Sequence, residues 1–327
     1  MLTLGIETSC DETSVALLKD NQIIANEVFT QDAHSLYGGV VPEIASRAHL
    51  DKIEIITNNI FSKNNLKIND INNIAVTDSP GLAGALLVGI SFALGLHCKF
   101  NIPITGINHI EGHIFSILLA YPQIKFPFLS CVVSGGHTAI YLVKKIGDYL
   151  CMGKTVDDAA GEAFDKVGKL LGFSYPAGRL IEEKAKQATN KTKIEFPIAK
   201  CSGSNLNFSF SGLKTAVKNF CKEKGEEWVN ENKSEICFAF QKAVIDSLLR
   251  NILIASKETG INTITVVGGV ACNFELKNVI KTNFGENAFF PPPYLCTDNA
   301  AMIARAGYER FKFDITRFPS MSPTRDL

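Results

Sequence analysis

Two histidines separated by three residues, His109 and His113, are the sharpest chemical feature of the sequence. In a helix the two imidazoles lie one turn apart on the same face, a spacing suited to one metal ion. The pattern differs from the zincin motif HExxH, where a glutamate directly follows the first histidine. Here Glu111 follows His109 by two residues, about 200° around a helix, so it is poorly placed as a general base. The alternative is a pair of surface histidines without a ligand.

Asp298 is the candidate third ligand, because it follows a proline-rich segment and precedes a predicted helix. Two imidazoles and one carboxylate with open coordination positions suit Fe(II) or Zn(II) and leave room for a substrate oxygen. The alternative role of Asp298 is that of a plain helix N-cap, which the spacing alone favours.

Three glycine-rich turns follow β-like segments, at residues 79–84, 134–138 and 268–273. Glycines at such turns let backbone N–H groups approach phosphate oxygens, and a following helix adds a favourable dipole. None of the turns matches GxxxxGK[ST] or GxGxxG, so a P-loop or a dinucleotide Rossmann site is not indicated. Each turn alone is typical of a tight loop, whereas three in one chain favour a nucleotide ligand.

Two further polar segments allow either a functional or a structural interpretation. Asp158, Glu162 and Asp165 are predicted to share one helix face, as a solvated acidic surface or as contacts to ribose hydroxyls. Residues 208–215 alternate aromatic and hydroxyl side chains before a helix. Three polar groups of this segment could bind an anion: Ser209, Ser211 and Lys214. The alternative is that Ser211 serves only as the cap of the following helix. The sequence has no GxSxG elbow, so serine hydrolysis is not indicated.

The elements that must position these residues alternate between β-like and helical patterns, as in α/β proteins. The predicted strands are 3–7, 14–18, 22–27, 74–77, 104–107, 128–134, 138–144 and 263–268. The predicted helices are 42–63, 82–100, 112–121, 159–171, 178–187, 212–223, 234–259 and 299–311. A strand–turn–strand pattern near residue 5 recurs about 125 residues later, which indicates two similar lobes facing a cleft. Residues 188–207 are predicted to form a long surface loop.

Composition limits the class of protein. The 327 residues include 33 basic and 33 acidic ones, so the net charge is zero and the whole molecule does not attract polyanions. Nine cysteines, an odd number without CxxC spacing, predict reduced thiols and a cytoplasmic protein, and the N-terminus lacks a signal-peptide pattern. The uncharged residues 79–98 are long enough to span a membrane, but their small-residue stripe favours a buried core helix.

The chain resembles, essentially end to end, the bacterial tRNA threonylcarbamoyladenosine biosynthesis transferases and their archaeal and eukaryotic relatives. The resemblance rests on the histidine pair and on residues 5–14, 42–49, 80–84, 133–138, 208–215, 268–273 and 297–302. It implies a two-lobed, actin-like ATPase fold, as in sugar kinases and heat-shock chaperones, with duplicated α/β lobes around a cleft. Residues 1–108 would form the N-terminal lobe and 109–298 the C-terminal lobe, with 299–327 packing back on the first.

The same resemblance implies an acyltransferase. It would move a threonylcarbamoyl group from threonylcarbamoyl-AMP to the exocyclic amine of adenosine 37 in tRNAs that read ANN codons, and AMP would leave. Each subunit would carry one divalent metal ion, Fe(II) or else Zn(II), bound by His109, His113 and Asp298. The residues matching the family's contacts to the adenylate are Val132, Val133, Ser134, Gly135, Gly136, Asp165, Gly178 and Asn273. No residue is nominated as general base.

The partners implied by the resemblance are tRNA, a smaller paralogue of the same fold and a P-loop ATPase, without a membrane. Residues 179–200 hold a small basic surplus, which can contact a few phosphates but predicts only modest, salt-sensitive affinity for tRNA. Against three glutamates, its basic residues are Arg179, Lys184, Lys186, Lys191, Lys193 and Lys200.

Three departures from the family pattern bear on the shape of the substrate pocket. They are Ala177 and Arg179 around Gly178, Lys277 after the last glycine turn, and Asp78-Ser79 before Pro80.

Three alternative functions remain beside the transferase. One is a metal-dependent endopeptidase, an older assignment of this family, against which the displaced glutamate argues. The others are an ATP-dependent small-molecule kinase of the same fold and a catalytically silent scaffold.

Overall fold

The computed structural model describes residues 1–37, 39–199 and 204–327. Its strands are β1 (Leu2–Glu7), β2 (Glu12–Lys19), β3 (Gln22–Thr30), β4 (Asn73–Ser79), β5 (Ile104–Asn108), β6 (Phe128–Val133), β7 (Thr138–Lys145), β8 (Asp148–Lys154), β9 (Ile264–Val267) and β10 (Ala288–Phe289). Its α-helices are α1 (Pro42–Lys63), α2 (Ala83–Phe100), α3 (His109–Ala120), α4 (Ala160–Leu170), α5 (Gly178–Ala185), α6 (Ser211–Lys224), α7 (Glu226–Glu231), α8 (Lys233–Thr259), α9 (Phe274–Phe284), α10 (Pro293–Cys296) and α11 (Ala300–Lys312).

The chain divides into two compact units. Unit 1 comprises Met1–Lys125, Lys145–Tyr149 and Pro291–Leu327, and unit 2 comprises Phe126–Lys144 and Leu150–Phe290. These boundaries differ from the predicted ones after residues 108 and 298. The reason is that α3 packs closely on α11, where a methyl group added to Gly112 would lie 2.6 Å from Ile303 Cδ1. Helix α3 and Asp298 therefore both belong to unit 1.

The sheet of unit 1 has the strand order β3-β2-β1-β4-β5. The pairs β1–β2 and β2–β3 are antiparallel, whereas β1–β4 and β4–β5 are parallel. Strands β1, β4 and β5 are buried along their whole length, as is usual for strands covered on both faces. Their carboxyl ends consequently lie at one edge of the sheet, followed by the turns that carry the polar residues.

Helices cover both faces of this sheet. On one face, α1 and α2 share a hydrophobic core with alternate strand residues such as Leu4 and Ile6. The residues between them face α11, because side chains alternate along a strand. Gly5 is required there, since an added Cβ would lie 2.2 Å from the carbonyl oxygen of Ala300. Close packing of α11 thus depends on a strand position without a side chain.

Helix α2 is, by length and composition alone, long and apolar enough to cross a membrane, with 18 residues and a mean hydropathy of 1.6. The structure buries 28% of this segment. Leu86, Ile90 and Ala93 lie in the core of unit 1, while Leu87 is exposed. The predicted core packing is therefore found along one face of the helix, and the other face is open.

The sheet of unit 2 has the strand order β8-β7-β6-β9-β10. It matches the order of unit 1 position by position, with β8, β7, β6, β9 and β10 in the places of β3, β2, β1, β4 and β5. The pair β6–β7 is antiparallel, while β6–β9 and β9–β10 are parallel. Strand β6 therefore holds the central place that β1 holds in unit 1, which is the duplication predicted from the sequence. Cys131 and Cys237 are buried thiols of this unit, as predicted, and burial raises the pKa of each to about 12.

Most predicted elements are found within one to three residues of their predicted bounds, and α1 matches fully. Strands β8 and β10 and helices α7, α9 and α10 have no counterpart among the predicted ranges. Strand β8 lacks a clean alternation of buried and exposed residues, and β10 has only two residues. The predicted loop 188–207 forms no helix or strand at 188–199 and 204–207, and its remaining residues, including Lys200, lie outside the described part.

Candidate functional site

Helix α3 presents the histidine pair and begins at His109, three residues earlier than predicted. Asn108 is its N-cap, because the Asn108 Oδ1 atom accepts a hydrogen bond of 2.8 Å from the Ile110 N–H. The imidazole rings of His109 and His113 are 4.7 Å apart between centroids. Asp298 Oδ1 lies 3.5 Å from Nε2 of His109 and 3.1 Å from Nε2 of His113. The fold therefore brings the three predicted metal ligands together.

The donor set fits a metal ion. Both ring nitrogens of His113 are buried and have no hydrogen-bond partner among the described residues, even though Nε2 is 3.1 Å from Asp298. Buried nitrogens without partners are costly, and a cation within reach of Nε2 would remove part of this cost. The alternative role of Asp298 as N-cap is not found, because Asn299 caps α11 by accepting a bond from the Met302 N–H.

Glu7, at the end of β1, orients the first histidine. Its Oε2 atom lies 3.0 Å from Nδ1 of His109 and accepts a 2.6 Å bond from the Thr77 hydroxyl, while Oε1 accepts from the Ser9 N–H. A carboxylate that accepts the Nδ1 proton leaves the Nε2 lone pair of the imidazole available for a metal. Sequence reasoning missed this role of Glu7. Its place at the carboxyl edge of a predicted strand, directly before a polar turn, was the available signal.

The ionisable groups of this cluster shift one another's pKa values. Burial by itself would lower the pKa of His109, but the nearby Asp298 and Glu7 carboxylates raise it well above its usual range. Burial opposes ionisation of Asp298 and Glu7 too, yet attraction to His109 holds the pKa of each below its ordinary value. Burial, together with repulsion from Asp298, raises the pKa of Glu12 to about 10. Several carboxyl groups thus gather around one imidazole, an arrangement that favours a cation.

Glu111 faces a different environment from the histidines. Its buried carboxylate accepts a 2.6 Å bond from the Tyr149 hydroxyl and is bound by Nε of Arg310 at 2.8 and 2.9 Å. A carboxylate neutralised in this way is poorly suited to remove a proton from a substrate. The geometry therefore agrees with the sequence argument against a zincin-type peptidase.

Two of the predicted glycine turns lie side by side in unit 2, because β6 and β9 are parallel neighbours. Gly268, with φ of 93°, packs on the end of β6, where an added Cβ would lie 2.5 Å from the Val133 carbonyl oxygen. The Ser134 carbonyl accepts a bond from the Gly161 N–H at the start of α4. Gly135 and Gly136 have open space where a Cβ would be. Both glycines are exposed, so their backbone N–H groups are the accessible donors of this turn. Val132 and Val133 themselves are buried in β6.

The remaining predicted substrate contacts, Asp165, Gly178 and Asn273, lie on or beside α4, α5 and α9 of unit 2. Asp165 in α4 accepts a 2.7 Å bond from the Ala177 N–H, immediately before Gly178 opens α5. Asn273 caps α9, and the N–H of the next residue donates to Glu182 of α5. These bonds connect the middle of α4 with the residue before α5, and the middle of α5 with the first residue of α9.

The departures from the family pattern have local explanations. The Ala177 methyl group packs against α4 at Gly168, where an added Cβ would lie 2.1 Å from it. Arg179 is exposed and pairs with Glu183 at 2.8 Å. The Lys277 ammonium lies 6.0 Å from the centre of the Phe290 ring. Asp78 and Ser79 bind two arginines near the C-terminus, as described below.

The polar groups of residues 208–215 are engaged by internal carboxylates. Asp157 accepts bonds from the hydroxyls of Ser209 and Ser211, at 2.6 and 2.7 Å, and from the first N–H groups of α6. Lys214 pairs with Asp158 at 2.8 Å. The predicted acidic helix face that includes Asp158 is wrong, because α4 begins two residues later and Asp158 precedes it. This segment therefore stabilises unit 2 through its own ion pairs.

The basic segment 179–200 is partly neutralised in its described portion. Arg179 pairs with Glu183 and Lys186 with Glu182, one turn apart on α5. The Lys193 ammonium donates to the Asn232 side-chain oxygen. Lys184 likewise donates to a neutral group, the Gln187 side-chain oxygen. Among the described basic residues of this segment, two are paired with carboxylates.

Two α/β units with one repeated strand order are characteristic of actin-like ATPases, and solved structures show the same fold. HypF from T. kodakarensis has a TM-score of 0.65 at 13% identity, over 96% of this chain and 48% of that one. Component A of the (R)-2-hydroxyglutaryl-CoA dehydratase of Acidaminococcus fermentans has a TM-score of 0.58 at 14% identity, over 95% and 98%. The predicted fold class is confirmed.

Sequence relationships then specify the family. The profile of TsaD, tRNA N6-adenosine threonylcarbamoyltransferase, matches residues 22–305. Proteins with this name are 48% identical in Thermosipho africanus, over 100% of this chain and 99% of that protein, and 47% identical in Fervidobacterium nodosum, over 95% and 94%. The relative in Clostridioides difficile is 46% identical over 95% and 93%. The chain belongs to the tRNA N6-adenosine threonylcarbamoyltransferase family, as the resemblance indicated.

Proposed function

We propose that this protein transfers a threonylcarbamoyl group from threonylcarbamoyl-AMP to N6 of adenosine 37 in tRNAs that read ANN codons, with release of AMP. The observation that carries the proposal is that His109, His113 and Asp298 meet in a chain whose full length matches the transferase family. The donor is a mixed anhydride and is already activated, so the transfer needs no covalent enzyme intermediate.

We infer that the three ligands hold one divalent ion, Fe(II) or Zn(II). When bound, the ion would act as a Lewis acid that stabilises negative charge developing on an oxygen of the donor. Glu7 keeps the proton of His109 on Nδ1 and so presents Nε2 as a ligand. Asp298 supplies the negative charge that balances the cation, and burial of His113 keeps its imidazole away from bulk water.

In unit 2 we infer that the adenylate is bound at the glycine edge. Backbone N–H groups of Gly135, Gly136 and residues 268–269 would donate to phosphate oxygens, which is feasible because Gly135, Gly136 and Gly269 have no Cβ in the way. The Ser134 N–H is already bound to the His137 carbonyl at 2.8 Å. Asp165 uses one carboxylate oxygen to fix the Ala177 N–H. Its second oxygen would accept a bond from a ribose hydroxyl or from the threonyl group. Val132, Val133, Gly178 and Asn273 would shape this edge.

The inferred partners follow from charge and from an exposed apolar surface. A net charge of zero supports weak tRNA binding by this chain alone. Leu50 and Ile55 of α1 and Leu87 of α2 are exposed by more than half, which supports a protein partner on this side of unit 1. We infer a smaller paralogue and a P-loop ATPase as partners, and the cytoplasm as the compartment.

The decisive experiment mixes the metal-loaded protein and its partner subunits with threonylcarbamoyl-AMP and unmodified tRNA. Nuclease digestion should then release the modified nucleoside, and His109→Ala should abolish it. His97→Ala removes a histidine of the same unit outside the cluster and should retain activity. Full activity of His109→Ala would contradict the metal assignment. Metal-dependent cleavage of a denatured protein, or ATP consumption with a small acceptor, would instead support the endopeptidase or the kinase.

A further inference from the structure

The last fifteen residues form neither helix nor strand, and residues 313–327 are called the C-terminal strap below. The strap crosses the carboxyl ends of β4 and β5, and four of its backbone groups form hydrogen bonds with these strands or with Gly81, which follows β4. Its four attachments are Arg317 O to Gly106 N at 2.9 Å, Ser322 N to Asp78 O at 2.9 Å, Pro323 O to Gly81 N at 3.1 Å and Arg325 O to the Asn108 amide at 3.1 Å. The strap is therefore fastened along much of its length.

Ion pairs with the buried Asp78 carboxylate hold the strap on the sheet. The Asp78 carboxylate has no exposed surface and binds the guanidinium groups of Arg317 and Arg325, the latter at 2.9 Å. The Ser320 N–H donates to the same carboxylate at 3.0 Å. Both arginines belong to the strap, so its departure would leave Asp78 buried without a counter-charge, which is strongly unfavourable. Asp78 thus holds the strap in place.

The strap reaches the metal cluster through one side chain. Asn108 uses its Oδ1 atom to cap α3 and its Nδ2 group to donate to the Arg325 carbonyl. The next residue is His109, the first residue of α3 and a candidate metal ligand. The cap of α3, and with it the direction of the His109 ring, is therefore tied to Arg325.

We propose that Arg325 and Asn108 are positioning residues, and that the C-terminal strap fixes the start of α3 so that His109 meets His113 and Asp298 in a geometry that binds metal. This inference rests on the metal centre of the proposed function. Arg325 thereby acts on the cluster although it is far from His109 in sequence. Asp78, which departs from the family pattern, anchors the strap.

Metal affinity and local exchange test the proposal separately. Co(II) titration, followed by visible absorption, measures affinity in the full-length protein. Arg325→Gln removes the charge that binds Asp78, and Asn108→Ser retains a capping oxygen but loses the amide donor. We expect each to weaken Co(II) binding about tenfold or more, the range found for groups that support metal ligands. Arg325→Lys should recover most of the affinity.

Hydrogen exchange of the first turn of α3, measured without metal, is the second readout. We expect faster exchange there in Arg325→Gln and Asn108→Ser than in the wild type, while α1 is unchanged. Lys63→Gln, which breaks an exposed ion pair with Glu27 in the same unit, is the matched control and should change neither readout. If Arg325→Gln does not fold, Asn108→Ser decides, because it leaves the Asp78 ion pairs intact.

Folded variants with wild-type Co(II) affinity and wild-type exchange in α3 would overturn the proposal. If His109, His113 and Asp298 do not form a metal site, the result differs, because His113→Ala would then bind Co(II) as the wild type does. In that case, faster exchange of α3 in the strap variants still supports the mechanical link. Unchanged exchange rejects it.

Discussion

Replacement of Glu7 by glutamine changes the charge and hydrogen bonding of the metal cluster without changing its volume. The Glu7 carboxylate accepts from Ser9 N–H through one oxygen and contacts the Thr77 hydroxyl and Nδ1 of His109 through the other. Glutamine has only one acceptor oxygen. The Ser9 N–H cannot turn away, so the amide oxygen must stay with it, and the NH2 group then faces His109.

This arrangement moves a proton on the imidazole. An NH2 group that donates to Nδ1 of His109 requires Nδ1 to be unprotonated, so the neutral ring carries its proton on Nε2. Nε2 faces Asp298 and is the atom that would bind the metal. Loss of a carboxylate supporting a metal-bound histidine lowers affinity about 10- to 100-fold, which is about 1.4 to 2.8 kcal/mol. We expect a loss in this range for Glu7→Gln.

The assay is Co(II) titration of Glu7→Gln at pH 7.5, combined with 15N NMR of the metal-free protein at a pH above the pKa of His109, where the neutral ring carries one proton whose nitrogen can be identified. Glu43→Gln is the matched control, because it makes the same change at an exposed ion pair on α1. It should bind Co(II) as the wild type does. Wild-type affinity in Glu7→Gln, with the proton still on Nδ1 of His109, would refute the reasoning.

Three further predictions concern stability and pH. His49 contacts the Cys10 carbonyl at 2.8 Å, and burial lowers its pKa below the ordinary 6.5. The folded state therefore favours the neutral ring, and its stabilising effect should be lost as the pH falls below about 6.5. Urea unfolding of His49→Gln should show a weaker pH dependence between pH 5 and 6.5. Gly268→Ala should lower the free energy of unfolding by about 1 to 3 kcal/mol, because the position has positive φ and its Cβ would strike β6. Asp157→Ala should lower it by about 1 to 2 kcal/mol through loss of the cap on α6, measured by the same unfolding.

Each of these expectations has a clear counter-result. An unchanged pH dependence in His49→Gln would show that other groups control acid unfolding. Gly269→Ala is the control for the neighbouring glycine, since no atom lies within 4 Å of an added Cβ there. Equal losses for the two alanine variants would contradict the steric argument. Wild-type stability of Asp157→Ala would mean that water replaces the carboxylate at α6 without cost.

The parts of the fold that depend on local pattern could be predicted from the sequence. Helix α1 was predicted to the residue, because Pro42 starts it and a buried apolar stripe runs to its end. The start of α3 was missed because its cap, Asn108, lies at the end of a strand. The histidine spacing was sufficient to predict that His109 and His113 share one helix face. Asp298, far away in sequence, was placed with them by the resemblance to the family, because spacing alone favoured a helix cap there.

Contacts between distant segments account for what could not be predicted. Glu7 and His109 are 102 residues apart, and Asp78 and Arg325 are 247 apart. Nothing in the local pattern of either pair indicates the other partner. Such residues have no periodicity or motif of their own, and only the packed sheet edge brings them together.

The repeated strand order has a consequence for how one fold acquired two kinds of binding edge. The turn after the central strand of unit 1 begins at the Glu7 carboxylate, whereas the turn after the central strand of unit 2 contains Gly135 and Gly136. One topological position thus presents an acidic side chain in the first copy and bare peptide N–H groups in the second. The residues behind the strand, rather than the topology, therefore decide whether this position favours a cation or an anion.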